Sequence, residues 1–210
     1  MAQLLHIEAS PRGDDSHSIH VAREFIDAYR QTNPDDEVRT INLFDAQLPT
    51  FRAPAAKAKY TLLAGNEPSG EAESAWQPVI ETVDRLKQAD KVLISSPMWN
   101  FGVPYPLKHY IDVIVQPGLT FSFDAELGYQ GLVTDRPLAL VVARGSAYAK
   151  GTGAEQHDYQ LPYLKSVFGL IGFTDMRSIV VEPTMPAEMG REDMMIRAAV
   201  EQARDEAKRF

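Results

Sequence analysis

The chain has 210 residues, 44% hydrophobic and 24% charged, with 21 basic against 29 acidic side chains and a formal net charge of −8. This length points to one domain over residues 1–210, with a core large enough to need neither disulfide nor metal. The acidic balance argues against nucleic-acid and membrane-surface binding, which use a basic face. With no cysteine, thiol catalysis, cysteine-ligated zinc, iron–sulfur clusters and disulfides are all excluded.

The stretch Met1 to Glu8 has no basic n-region and no long apolar h-region, so a cytoplasmic protein is expected. No apolar run approaches the roughly 20 residues needed to span a bilayer. Leu4 to Ala9 reads as a buried strand ending in the turn cluster Ser10-Pro11-Arg12-Gly13. Ala22, Phe25, Ile26 and Tyr29 then recur on one helix face, which Asn33-Pro34 stops. Val38 to Leu43 is a second strand. Residues 44–75 form a surface excursion, rich in Pro and Gly, with one short helix over 55–64.

Trp76, Val79, Ile80, Val83 and Leu86 stripe a helix that leads into the strand Lys91 to Ser96. Leu107, Tyr110, Ile111 and Ile114 repeat the helical spacing, and Leu119–Phe123 with Gly131–Val133 reads as a small hairpin. Pro137 to Ala143 is a continuous apolar strand, followed by a helix on Leu161, Leu164, Phe168 and Ile171. Met176 to Val181 is the last strand and Ile196 to Phe210 the last helix. Uninterrupted apolar strands alternating with helices imply an α/β, doubly wound parallel sheet covered on both faces.

In such a sheet, ligands bind at the carboxyl ends of strands, which selects three loops. Ser10 to Ser18 has no G-x-G-x-x-G and no G-K-[ST], but its hydroxyls precede a helix start and suit a phosphate; a plain N-cap at Ser16 or Ser18 is the alternative. Pro97-Met98-Trp99-Asn100-Phe101-Gly102 is a stiff aromatic platform suited to a flat heterocycle, unless Trp99 and Phe101 are core plugs. Ala143-Arg144-Gly145-Ser146 is a small-residue turn that lets backbone approach a ligand. Ser146 lies in R-G-S-A rather than G-x-S-x-G, so no hydrolase elbow is read there. His17 and His20 lack a third ligand and are not read as a metal site. His6 reads as a core histidine, Asp14-Asp15 and Asp35-Asp36 as solvated turns, and Met194-Met195 as core.

Pro97-Met98-Trp99-Asn100-Phe101 followed by Leu107-Lys108-His109-Tyr110-Ile111-Asp112 resembles the P-M-Y-N-F and L-K-x-Y-x-D of the FMN-dependent NADH-azoreductases and NADH:quinone oxidoreductases of flavodoxin-like fold. The resemblance runs almost end to end. Gly118-Leu119-Thr120-Phe121, Pro162-Tyr163-Leu164 and Ile171-Gly172-Phe173-Thr174-Asp175 support it. It implies a three-layer sandwich whose five-stranded parallel sheet has the order 2-1-3-4-5. It also implies one FMN per subunit of a homodimer. Ser10, Ser16, His17 and Ser18 would hold its phosphate, and Met98, Trp99, Asn100 and Phe101 would line the ring edge and ribityl chain. Ala143, Arg144, Gly145 and Ser146 would reach the pyrimidine side. Trp99, Ala143 and Ser146 depart from the usual Tyr, Ser and Gly.

The implied activity is electron transfer from NADH or NADPH, by a ping-pong mechanism, to quinones or aromatic azo compounds. Trp99, Phe101, Phe121, Phe123 and Phe168 are the expected walls of the acceptor pocket. No protein side chain is expected to act as a catalytic group, because the chemistry belongs to the flavin. A flavodoxin-like electron carrier and a flavin-free regulatory protein are the rival readings.

Overall fold

The computed structural model describes residues 1–185 and 192–210. In chain order its elements are β1 (Gln3–Glu8), α1 (His17–Thr32), β2 (Glu37–Asn42), α2 (Ala53–Leu63), α3 (Glu71–Gln88), β3 (Lys91–Pro97) and α4 (Tyr105–Ile114). A hairpin of β4 (Phe121–Asp124) and β5 (Gly128–Gly131) follows. Then come β6 (Leu138–Ala143), α5 (Leu161–Ile171), β7 (Met176–Val181) and α6 (Glu192–Ala207). The main sheet runs β2-β1-β3-β6-β7, every pair parallel. Counting the sheet strands alone, this is the expected 2-1-3-4-5.

Successive strand residues point to opposite faces, and β6 shows the consequence. Leu138, Leu140 and Val142 join a core with Val83 and Leu86 of α3, Leu107 and Ile111 of α4, and Leu164 and Ile171 of α5. Ala139, Val141 and Ala143 join the opposite core, with Val21, Ala22 and Phe25 of α1 and Ala199 and Ala203 of α6. A strand buried on both faces has no polar alternation to show, which is why it reads as an unbroken apolar run.

Four expectations need correction. Phe168, expected in the acceptor pocket, is 1% exposed and sits in the core edge-on to Phe173. Leu164 at i−4 and Ile171 at i+3 are buried beside it, so helical period decides its fate. Asp36 does not lie in a solvated turn. It accepts hydrogen bonds from Ala2 N and Tyr29 Oη, both at 2.6 Å, and these hold its carboxyl below the usual range. Met194 is exposed rather than core. The hairpin strands are shifted toward 121–124 and 128–131, because Gly131 closes on the glycine that ends α5. A Cβ at Gly131 would stand 2.3 Å from Gly172 Cα. Only hydrogen fits there, and Val133 N completes the joint by donating to Ile171 O at 2.8 Å.

Candidate active site

Adjacency in the sheet brings the carboxyl ends of β1, β3 and β6 side by side. Ala9 N donates to Ser95 O at 2.9 Å and Met98 N to Ala143 O at 2.8 Å, so the loops leave the sheet already tied together. Between them lies a cavity of about 180 Å³. Of the predicted cofactor residues, Ser10, Ser16, His17, Met98, Trp99, Ala143 and Gly145 line it. Pro11, Arg12, Pro97 and Thr184 complete the wall. Thr184 follows β7, whose end was not among the three loops selected from sequence; Pro183 beside it was the available signal.

One end of the cavity is rich in donors. Ser16 is the N-cap of α1, but Ile19 N reaches its Oγ only at 3.5 Å. Ser18 is fully buried with its Oγ 3.2 Å from Ser16 Oγ, and Arg12 N reaches Ser10 Oγ at 3.4 Å. These are long contacts for hydroxyl groups, so the protein engages the three serines weakly. They converge where the first amides of a helix lack intrahelical acceptors and the helix end is positive. That is the arrangement an oxyanion requires. Ser16 is thus both N-cap and cavity wall, while Ser18 reaches the cavity only through it.

The other end is a tight turn. Trp99 N donates to Gly102 O at 3.0 Å and Gly102 N to Trp99 O at 2.9 Å. Asn100 and Phe101 between them have φ of 48° and 69°, the two positive values of a type I′ turn. Phe is a costly residue there, and such conformations persist only where neighbours hold them. Here Tyr159 N donates to Phe101 O at 3.0 Å, and the Phe101 ring stacks on His157 with centroids 5.1 Å apart. Asn tolerates the left-handed region better than Ala does. Asn100→Ala is therefore expected to cost the flavin-free protein about 1 kcal/mol, with Asn100→Gly near wild type. Chemical denaturation of the three proteins measures this; equal stability of Ala and wild type would show the turn to be unstrained.

Asn100 and Phe101 do not line the small cavity. Asn100 faces a larger open groove of about 1060 Å³, which shares Trp99 as a wall and includes Phe51, Lys59, Tyr105 and His109. Lys108 on its rim is paired with Asp112 at 2.6 Å, a bond that raises its pKa. Phe121 and Phe123 do not gather with Trp99 and Phe101. They line a separate apolar groove with Leu62, Leu63 and Tyr129. Ser146 is exposed and donates to Met185 Sδ at 3.9 Å. Arg144 does not line the cavity, and its side chain forms a buried ion pair with Asp158.

A doubly wound α/β protein with a phosphate-sized cavity at its strand ends, continuous with an aromatic turn, belongs to the mononucleotide-binding class. Residues 2–207 match a family described as having a flavodoxin-like fold. The chain is 49% identical over 210 residues, covering 100% of both chains, to an FMN-dependent NADH:quinone oxidoreductase of Nitratidesulfovibrio vulgaris (strain DP4). It is 42% identical over 201 residues to one of Desulfotalea psychrophila, covering 96% of this chain and 94% of that one. The crystal structure of an FMN-dependent NADH-azoreductase from Bacillus anthracis str. Ames Ancestor in complex with FMN matches with a TM-score of 0.87 and 26% identity, over 100% of this chain and 99% of that one. Azoreductase from Bacillus anthracis str. Sterne matches with a TM-score of 0.91 and 27% identity, over 100% of each. The chain belongs to the FMN-dependent NADH:quinone oxidoreductase family of flavodoxin-like proteins.

Proposed function

We propose that the protein is an FMN-dependent oxidoreductase that takes electrons from NADH and delivers them to quinones or aromatic azo compounds. The observation that carries this is the pair of weakly engaged serine hydroxyls, Ser10 and Ser16, at the start of α1 in a cavity that opens onto the Met98–Gly102 turn, with Ser18 buried directly behind Ser16. The residues present fit the cofactor. A cavity of about 180 Å³ is smaller than the roughly 300–1,000 Å³ of a whole ligand pocket, and suits a phosphate with part of its chain. Ser10, Ser16 and Ser18 would donate to that phosphate. Met98 and Trp99, with backbone of Ala143 and Gly145, would flank the ring. A Cβ at Gly145 would stand 2.8 Å from Met185 Cγ, so any larger residue there would displace the Met185 side chain.

Bound FMN supplies hydride acceptance from NADH and two-electron delivery to the acceptor. The chain's part is to bind, orient and exclude water. Relatives named as NADH:quinone oxidoreductases and azoreductases favour an enzyme over an electron carrier or a flavin-free regulator. The acceptor pocket is completed by a second copy of the chain. Phe123 at 66% exposed and Tyr129 at 64% make the β4–β5 hairpin an apolar surface that a homodimer would use. Among the described residues no helix is long and apolar enough to cross a membrane, and a cytoplasmic location is part of the proposal.

With one site for both substrates, NADH and acceptor must use it in turn. Anaerobic NADH alone is expected to bleach the yellow FMN-loaded protein, and a quinone added afterwards to restore the colour. Double-reciprocal plots should be parallel. Intersecting lines would require a ternary complex and a second nucleotide site, against this reading.

A further inference from the structure

Arg144 follows β6 directly, is 3% exposed, and serves as the hub of a buried polar network. Its Nη1 lies 3.0 Å from Asp158 Oδ2 and 3.3 Å from Glu182 Oε2, while its Nε donates to Gln160 Oε1 at 3.3 Å. Each partner extends the connection. Gln160 Nε2 donates to Pro97 O at 2.8 Å, at the end of β3. Asp158 Oδ1 accepts from Leu161 N at 3.1 Å, at the start of α5. Glu182, just after β7, accepts from Tyr148 N at 3.1 Å. The Arg144 backbone is committed as well: its carbonyl accepts from Thr184 N at 2.9 Å and Thr184 Oγ1 at 3.0 Å.

A buried guanidinium needs a counter-charge and hydrogen bonds, and it is costly to strand. That explains a partner but not the choice of partners. The ends of β3, β6 and β7 reached here each carry residues that line the cavity, Pro97 and Met98, Ala143 and Gly145, and Thr184, while the segment of Asp158 and Gln160 ties them together without lining it. The same loop also delivers Tyr159 N to Phe101 O, which helps to hold the left-handed turn. Among the described residues, none of the bonds just given for Arg144, Asp158, Gln160 and Glu182 reaches Ser10, Ser16 or Ser18. Arg fits this task because its planar fork fixes several acceptors in one geometry, which a lysine ammonium does not.

We infer that Arg144 is a positioning residue for the ring side of the flavin site, acting through Asp158, Gln160 and Glu182. The inference rests on the cofactor reading above. Its consequence is asymmetric: weakening the network should impair recognition of the flavin ring and leave recognition of the phosphate intact.

Glu182→Gln and Gln160→Met each weaken the network while leaving the Arg144–Asp158 pair in place. Apo-protein is titrated with FMN and with riboflavin, which lacks the phosphate, by quenching of flavin fluorescence. Each variant should bind both flavins about five- to tenfold more weakly, the effect of one buried hydrogen bond. The FMN-to-riboflavin affinity ratio should stay at the wild-type value. The visible absorption of bound flavin should also change shape, since it reports the surroundings of the ring. Loss for FMN alone would overturn the inference, because the network would then act on the phosphate loop. Unchanged affinity for both, with only a lower melting temperature, would make Arg144 a fold residue and nothing more. A wild-type protein that binds neither flavin would instead overturn the cofactor reading itself.

Discussion

Replacing Ser16 and Ser18 together by alanine is expected to weaken FMN binding by about 1–3 kcal/mol, given about 0.5–1.5 kcal/mol for each lost hydrogen bond. Riboflavin affinity should change little. The long distances in this loop make the contrast a sharp one. Ile19 N sits at 3.5 Å from Ser16 Oγ and Arg12 N at 3.4 Å from Ser10 Oγ, so the hydroxyls give up little to the protein when they turn to a phosphate. Ser16 is nevertheless the N-cap of α1, and losing a cap costs up to about 1 kcal/mol or somewhat more in stability. Ser18→Ala alone separates the two effects, because Ser18 lies inside the helix. It should retain most of the stability while still losing FMN affinity. Isothermal titration with both flavins decides the matter. Equal losses for FMN and riboflavin would remove the three serines from the phosphate site.

This contrast also runs opposite to the one expected from the Arg144 network, which should affect both flavins alike. The expected outcomes of the two experiments, taken together, would divide the site into a phosphate end fixed by β1 and α1 and a ring end fixed by β3, β6 and β7.

How far the sequence carries depends on whether a residue's role is set locally. Leu138 to Ala143 is a strand buried on both faces, and its composition announces as much. Ser16 before a helix and Met98 after a strand are placed by the topology alone, once the sheet is known to be parallel. Arg144 is different. At the end of a strand it reads as a residue aimed at ligand, and only the chain's return through Asp158 and Glu182 turns it inward. Those carboxylates stand in other loops, with no spacing rule to link them. Phe168 shows the reverse error. Its place on the Leu161–Leu164–Ile171 stripe marks it as core, and that periodicity outweighs the aromatic character that suggests a pocket wall. Phe121 and Phe123 were legible as a hairpin, but which groove the hairpin faces depends on the Gly131–Gly172 contact. That contact joins two elements whose glycines carry no pattern.

The flavin-free protein should also lose stability steeply in mild acid, and His6 is the main cause. This residue lies in β1, the strand that leads into the Ser10–Ser18 loop, and it is 1% exposed. Burial, reinforced by the charge of Arg23, lowers its pKa from 6.5 to about 3. Its Nε2 lies 2.9 Å from Ser95 Oγ and its Nδ1 3.4 Å from Thr40 Oγ1. Both neighbours are hydroxyls, able to donate to or accept from a neutral ring, and neither carries the negative charge that an imidazolium would need. The native state therefore keeps His6 neutral while the unfolded chain takes up a proton below pH 6.5. Stability from this residue is complete above about pH 6.5 and is lost as the pH falls toward 3, a total on the order of 5 kcal/mol. Glu8 opposes it in part: burial raises its carboxyl pKa, so its own contribution is greatest in acid and declines as the pH rises through the folded value. His6→Gln keeps an amide within reach of Ser95 and Thr40 but cannot titrate. Urea unfolding of both proteins from pH 7 to pH 4 should give a steep slope for the wild type and a much flatter one for the variant. Parallel slopes would assign the acid sensitivity to other groups and free β1 from this constraint.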